Sequence, residues 1–253
     1  MKAYIISDIH SEFCESKISK QNNIFKHIII PDDIDLVIIA GDISNNIEDH
    51  KQLFKQIKQP IVFVAGNHEF YKREYYQQIQ ELESLNSDNV HFLNNSTFEM
   101  NGTTFVGGTL WTDMRLTNSQ SLHLQLGKKY MNDFRIIRYA QGTLTPDDTL
   151  LLHNTTIDCI RQTLIKKDNV VIVTHHGMCP RSIDIDYKGD FSNDYYVSDY
   201  DSLIREYSPK AVIHGHVHTP FRYNIGYTEL LCNPMGYYGE RKDTTVVPMI
   251  LDF

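Results

Sequence analysis

Leu36-Val37-Ile38-Ile39-Ala40-Gly41-Asp42 is the stretch that decides the fold. Five apolar residues in a row, with no polar alternation, belong to a strand covered on both faces, as in a sheet sandwiched between helices. The run then stops at a glycine and a carboxylate. The same grammar recurs along the chain: Ala3 to Ile6 before Ser7-Asp8-Ile9-His10, and Ile61 to Ala65 before Gly66-Asn67-His68-Glu69. Later, Val170 to Val173 precedes Thr174-His175-His176, and Ala211 to Ile213 precedes His214-Gly215-His216-Val217-His218. Between the runs, residues 46–58, 71–86 and 146–167 carry apolar spacing compatible with helix faces, and strands alternating with helices predict an α/β protein. Residues 90–109 read as strand, turn, strand about Asn101-Gly102. Residues 220–232 and 246–252 read as antiparallel strands around the turn-rich Asn233-Pro234-Met235-Gly236, enough for a second sheet packed on the first.

At 253 residues the chain suits a single α/β domain spanning 1–253, and no linker or repeat divides it. The apolar fraction of 41% and charged fraction of 22% exclude a disordered chain. No apolar run approaches the ~20 residues needed to cross a bilayer, so no membrane partner is expected. The apolar run at the N-terminus is too short for a signal peptide, and Cys14, Cys159, Cys179 and Cys232 form no CxxC pair. Reduced thiols in a cytoplasmic enzyme are the simpler reading. With 24 Lys plus Arg against 32 Asp plus Glu, the net charge of -8 repels a polyanion, so long nucleic acid is not expected as a partner. Oligomeric state is not readable from the chain.

Ligands of open α/β sheets bind beyond the carboxyl ends of the strands, which should bring the five polar clusters to one edge. Their imidazoles, carboxylates and single amide suit borderline divalent ions such as Mn, Fe, Zn, Ni or Co better than a thiolate-seeking one. A shared carboxylate lets two ions sit about 3.5 to 4 Å apart, where they clamp both the attacking and the leaving oxygen of a phosphate.

The DxH, GD, GNHE, late His and GHxH clusters, in that order from Asp8 to His218, resemble those of the calcineurin-like metallophosphoesterase superfamily. The resemblance implies an αββα sandwich, two packed β-sheets flanked by helices. It implies one metal held by Asp8, His10, Asp42 and His218, and a second by Asp42, Asn67, His175 and His216, with Asp42 as the bridge and Mn as the first choice of ion. It also implies a phosphoester hydrolase in which a hydroxide between the ions attacks. His68 would contact the phosphate and protonate the leaving oxygen, and Glu69 would support the ligands.

His175 is preferred to His176 by family position, since strand alternation lets only one of two neighbours face the metals. His214 is expected to be a satisfied core residue, and His27, His50, His91, His123 and His153 to pack or face solvent. The long segments 110–142 and 177–198 are the expected substrate loops, with Arg135 and Arg181 as candidate phosphate-gripping forks and Tyr195, Tyr196 and Tyr200 as possible pocket walls. A small phosphodiester or nucleotide is the expected substrate. A phosphomonoesterase is the alternative; a protein phosphatase is disfavoured because Gly41-Asp42-Ile43-Ser44 lacks the Asp-Arg pair those enzymes carry. A catalytically inactive metal-binding scaffold is the reading from another class.

Overall fold

The computed structural model describes residues 1–13, 24–237, 240 and 247–253. Cys14 and position 246, the start of the last expected strand, lie outside the described residues. In chain order the strands are β1 (Lys2–Ile6), β2 (Leu36–Ala40), β3 (Ile61–Val64), β4 (Val90–Phe92), β5 (Ser96–Met100), β6 (Thr103–Gly108), β7 (Arg138–Tyr139), β8 (Gly142–Thr143), β9 (Val170–Thr174), β10 (Ala211–His214), β11 (Phe221–Ile225), β12 (Thr228–Cys232) and β13 (Met249–Asp252). The helices are α1 (Ile47–Phe54), α2 (Tyr75–Glu83), α3 (Gln120–Tyr130), α4 (Asp133–Ile136), α5 (Pro146–Lys166) and α6 (Asp201–Tyr207).

The cluster-bearing strands divide between two sheets. One has the order β13-β1-β2-β3-β4, with β1 to β4 parallel and β13 antiparallel at the edge. The other has the order β11-β12-β10-β9-β6-β5, parallel in the middle and antiparallel at both edges. Strand alternation builds the layers. Ala3, Ile5, Leu36, Ile38, Val62 and Val64 meet Phe105, Val171, Val173, Ala211 and Ile213 between the sheets. The alternate residues Tyr4, Ile6, Val37, Ile39 and Phe63 pack under Leu53 of α1 and Ile79 and Leu82 of α2. On the opposite face Val106, Ile172, Val212 and Leu230 pack under Ile157, Ile160 and Leu164 of α5 and Ile204 of α6. Each unbroken apolar run is therefore a strand buried on both faces, and the αββα layering expected of the chain is present.

Two expectations change. Residues 90–109 are not one hairpin: Val90–Phe92 completes the first sheet, and the hairpin is β5-β6, turning on Asn101 and Gly102, both left-handed at φ 49° and 75°. The segment 110–142 holds α3, α4 and β7 rather than loop alone. The buried residues of α3 are His123 and Gly127, one turn apart, whereas its Leu122 is exposed, so apolar periodicity could not reveal it.

Candidate metal centre

The carboxyl ends of β1, β2 and β3 in one sheet and of β9 and β10 in the other face the same rim, held by cross-links between the loops. The Asp8 N–H donates to the Gly41 carbonyl at 3.0 Å, His10 to Asp42 at 3.0 Å and Gly215 to His175 at 3.0 Å. The backbone at this rim is strained. Asp8, His10, Asp42, His216 and His218 all have left-handed φ, between 50° and 68°, a conformation that costs a non-glycine residue on the order of 1–3 kcal/mol and concentrates at functional sites. Glycines appear where space is short. A Cβ on Gly41, itself at φ 84°, would lie 2.5 Å from the His175 ring, and one on Gly66 would collide with the Asp42 carboxylate. The left-handed turns at the rim are thus made by acidic and histidine residues as well as by Gly41, and Gly66 is needed for close approach.

Three groups of candidate ligand atoms result, the atoms within each lying within 4.8 Å of one another: Asp8, His10 and His218; Asp42, His175 and His216; and His10, Glu12 and His68. The first two match the expected sets. A single oxygen joins these two: Asp42 Oδ2 is 3.6 Å from His10 Nε2 and 3.3 Å from His175 Nε2. Asn67 adds its amide oxygen, 3.1 Å from His175 Nε2. His10 and His218 turn their Nε2 atoms toward each other at 3.0 Å. Several candidate ligands are oriented from behind, as metal ligands require. His175 Nδ1 donates to the Ala40 carbonyl at 2.8 Å, and the Asn67 amide donates to Asp133 Oδ1 at 2.8 Å. Asp8 accepts from the His216 N–H at 2.9 Å. Glu69 accepts from the N–H groups of Asp42, Ile43 and Gly66 at 3.0, 2.7 and 2.7 Å, clamping two of the loops together.

Burial alone would raise the Asp42 carboxyl, but His175, His68 and His10 outweigh it and hold it well below the usual range. Burial works against a proton on His175 too, yet Asp42 and Asp8 push it up to about 10. His216 goes the other way: burial first, then His176 and His175, keep it far below an ordinary imidazole. Its Nε2 is buried without a hydrogen-bond partner, an arrangement a neutral ligand nitrogen facing a cation would relieve. Carboxylates, an amide oxygen and lone-pair nitrogens converging in one buried rim fit a borderline divalent metal.

The calcineurin-like phosphoesterase model matches residues 1–220. The chain belongs to that family. It is a metallophosphoesterase, a hydrolase of phosphoric esters. Uncharacterized protein L509 of Acanthamoeba polyphaga mimivirus is 26% identical over 94% of this chain and 92% of its own length. The fold is similar to the phosphopantetheinyl hydrolase of Mycobacterium tuberculosis, with a TM-score of 0.72 at 16% identity over 97% of this chain and 95% of that one. It is also similar to TT1561 of Thermus thermophilus, with a TM-score of 0.56 at 11% identity over 92% and 88%.

Against the family's pattern, every expected ligand lies at the rim. His176 is turned away, its Nδ1 3.1 Å from the Thr109 carbonyl, and His214 is satisfied by Ser182 Oγ at 2.7 Å and the Gly215 carbonyl at 3.0 Å. His68 lies beside the ligands, its backbone N–H donating to Asp42 Oδ1 at 2.9 Å and its Nδ1 2.9 Å from Glu12 Oε1. The rim opens into a cavity of about 630 Å³ lined by Asp42, Asn67, His68, His216 and His218 and by Tyr130, Met131, Ile183, Tyr187 and Tyr196. Both long segments contribute to its walls. Neither expected arginine does. Arg181 donates to the Asn224 carbonyl at 2.8 Å and lies over the Tyr223 ring, and Arg135 donates to Asn132 Oδ1 at 2.8 Å. Of the tyrosines, Tyr196 lines the cavity and stacks on His216, whereas Tyr195 donates to the His123 carbonyl and Tyr200 pairs with His153.

Sequence reasoning missed Glu12, Asp133, Tyr237 and Glu240. Glu12 stands two residues after His10, a spacing that could have drawn attention to it. Asp133, Tyr237 and Glu240 are brought in only by the fold.

Proposed function

We propose that this metallophosphoesterase is dinuclear and cleaves a small phosphodiester, with His68 as general acid. The observation that carries the proposal is Asp42 Oδ2, one oxygen within 3.6 Å of ligand nitrogens from both groups. Asp8, His10, Asp42 and His218 would hold one ion, and Asp42, Asn67, His175 and His216 the other. Mn is the first choice for such a nitrogen and oxygen set, with Fe, Zn, Ni or Co as alternatives. Bound there, the ions would supply the positive charge that lowers the pKa of water and neutralises the phosphate oxygens.

The remaining chemistry falls to the chain. With Glu12 accepting from Nδ1, the His68 ring presents Nε2 toward the cavity, where a proton can pass to a departing oxygen. Burial opposes protonation of His68, but Asp42 and Glu12 outweigh it and raise its pKa above the ordinary imidazole value, the direction that suits a proton donor. The aromatic lining residues Tyr130, Tyr187 and Tyr196 suit an organic leaving group larger than a methyl ester. No lysine or arginine among the described residues lines the cavity, so the doubly charged head of a monoester lacks the guanidinium fork it would favour. That supports a diester over a monoester. Cys159 and Cys179 carry free thiols, which agrees with a cytoplasmic setting.

A metal-supplemented screen of the purified protein against phosphomonoesters, phosphodiesters, nucleotides and phosphoproteins tests the proposal. Higher kcat/KM on a bis-aryl phosphodiester than on the matching monoester under Mn²⁺ is the expected result. Bound metal with no turnover of any phosphoester would favour the inactive scaffold.

A further inference from the structure

The segment Asn233-Pro234-Met235-Gly236-Tyr237 lies beyond the residues matched by the family model, yet it is built onto the rim. The Ser7 N–H donates to the Asn233 carbonyl at 3.1 Å, Met235 donates back to Ser7 at 2.8 Å, and Gly236 donates to the Asp8 carbonyl at 3.0 Å. The segment thus runs beside β1 as its chain enters the candidate ligands. Gly236, at φ 74°, turns the chain so that the next side chain faces the histidines. The Tyr237 ring packs at 4.5 Å from both His10 and His218, and its hydroxyl is 3.2 Å from His68 Nε2. Glu240 secures the far end, accepting from the Tyr237 N–H at 2.7 Å and lying 2.8 Å from His218 Nδ1.

We propose that Tyr237 is a catalytic residue whose hydroxyl, together with His68, binds the phosphoryl oxygens of a singly charged phosphodiester. The inference deepens the reading given under Proposed function and rests on it. Tyr237 lines the cavity, and its hydroxyl and His68 Nε2 converge from different loops on one point. With Nδ1 directed to Glu12, His68 Nε2 lies 3.2 Å from the tyrosine hydroxyl, and without a substrate the two groups satisfy one another. An oxyanion entering between them accepts from the phenol and, when His68 carries the proton it later donates, from the imidazolium as well. A phenol is a neutral donor. It orients a phosphoryl oxygen but adds no charge, which matches a monoanionic diester and leaves a dianion under-compensated. The ring contacts with His10 and His218 place this donor beside the candidate ligands.

Tyr237→Phe isolates the hydroxyl, because the ring that packs on His10 and His218 is kept. With Mn-loaded protein the expected result is a loss of kcat/KM on bis(4-nitrophenyl) phosphate of roughly 10- to 100-fold, the effect of removing a hydrogen bond to a charged group. Binding of inorganic phosphate, followed by calorimetry on the same samples, should weaken in parallel, while metal content by elemental analysis stays at the wild-type value. Unchanged phosphate affinity in Tyr237→Phe overturns the proposal, whatever happens to turnover, since a purely structural tyrosine would not alter phosphate binding at constant metal content. Absence of phosphoesterase activity in the wild type would instead defeat the diesterase reading; phosphate affinity in the two proteins still decides the role of Tyr237.

Discussion

The two ligand groups use the same chemistry but rest on different foundations. The group of Asp42, Asn67, His175 and His216 is buried throughout, and its supports are a main-chain carbonyl, Ala40, and a buried carboxylate, Asp133. In the group of Asp8, His10 and His218, Asp8 and His10 are as deeply buried, and only His218 reaches solvent. The His218 side chain is 18% exposed, and its support is Glu240, a carboxylate that is itself 44% exposed. Rigid, buried supports hold a ligand's orientation without solvent competition, whereas an exposed ion pair contributes little and yields to water. If two ions bind as proposed, the comparison favours a tightly held one on the buried side and a more exchangeable one on the side of His218, with Asp42 as the joint between the groups.

The largest expected effect comes from breaking that joint. Asp42→Asn removes the charge both groups share, so kcat should fall by ~10³-fold or more, several kcal/mol of transition-state stabilisation. Elemental analysis should show both ions lost or weakened. An Asp42→Asn protein that keeps two ions and near wild-type turnover would rule out a shared oxygen. His68→Ala comes next and separates metal binding from proton transfer. It should keep its metals and lose about 10² to 10⁴-fold on an alkyl leaving group, less on an aryl one whose oxygen departs as a stable anion. Equal losses on the two substrates would leave His68 as a phosphate contact only.

Differences between the two groups are sharpened by a pair of smaller changes. His218→Ala should empty one site and leave the other filled, giving one ion per chain after metal loading. Asp133→Asn acts on the buried side without touching an ion. The replacement amide can no longer offer the Asn67 amide a full carboxylate, so the Asn67 oxygen loses its fixed aim and affinity there should drop about 10- to 100-fold. Titration of metal-free protein with Mn²⁺ checks both. If His218→Ala and Asp133→Asn weaken the same binding step, the division into two groups is wrong.

What the sequence exposed and what it hid follow from distance along the chain. Each ligand stands within four residues of a strand end, so its cluster is local and readable: Asp8 and His10 after β1, Asn67 after β3, His216 and His218 after β10. The layering was readable for the same reason, because an unbroken apolar run reports burial on both faces. Asp133 meets Asn67 from 66 positions away and Tyr237 meets His68 from 169, and no spacing rule spans such intervals. The left-handed backbone at five ligands was hidden as well, since only glycine advertises that conformation in a sequence. The 177–198 segment offers one arginine, Arg181, and a lone arginine in a long segment reads as a phosphate-binding fork. The sequence could not show that Arg181 already has a partner ring and a carbonyl.

Arg181→Ala carries the smallest expected effect and tests whether the charge of the cavity comes only from the metal rim. The guanidinium centre is 4.3 Å from the centroid of the Tyr223 ring and Nη1 donates to the Asn224 carbonyl at 2.8 Å, both contacts tying the 177–198 segment to β11. Losing an exposed cation–π contact costs on the order of 0.5–1 kcal/mol, a small decrease in Tm by thermal melt. Nothing in that loss reaches the phosphate, so kcat/KM should stay within roughly twofold on diester and monoester alike. Should the monoester rate instead collapse while the diester rate holds, Arg181 must leave Tyr223 and swing into the cavity during turnover. The missing fork would then come from the 177–198 segment, and the diester preference argued from an arginine-free cavity would fail with it.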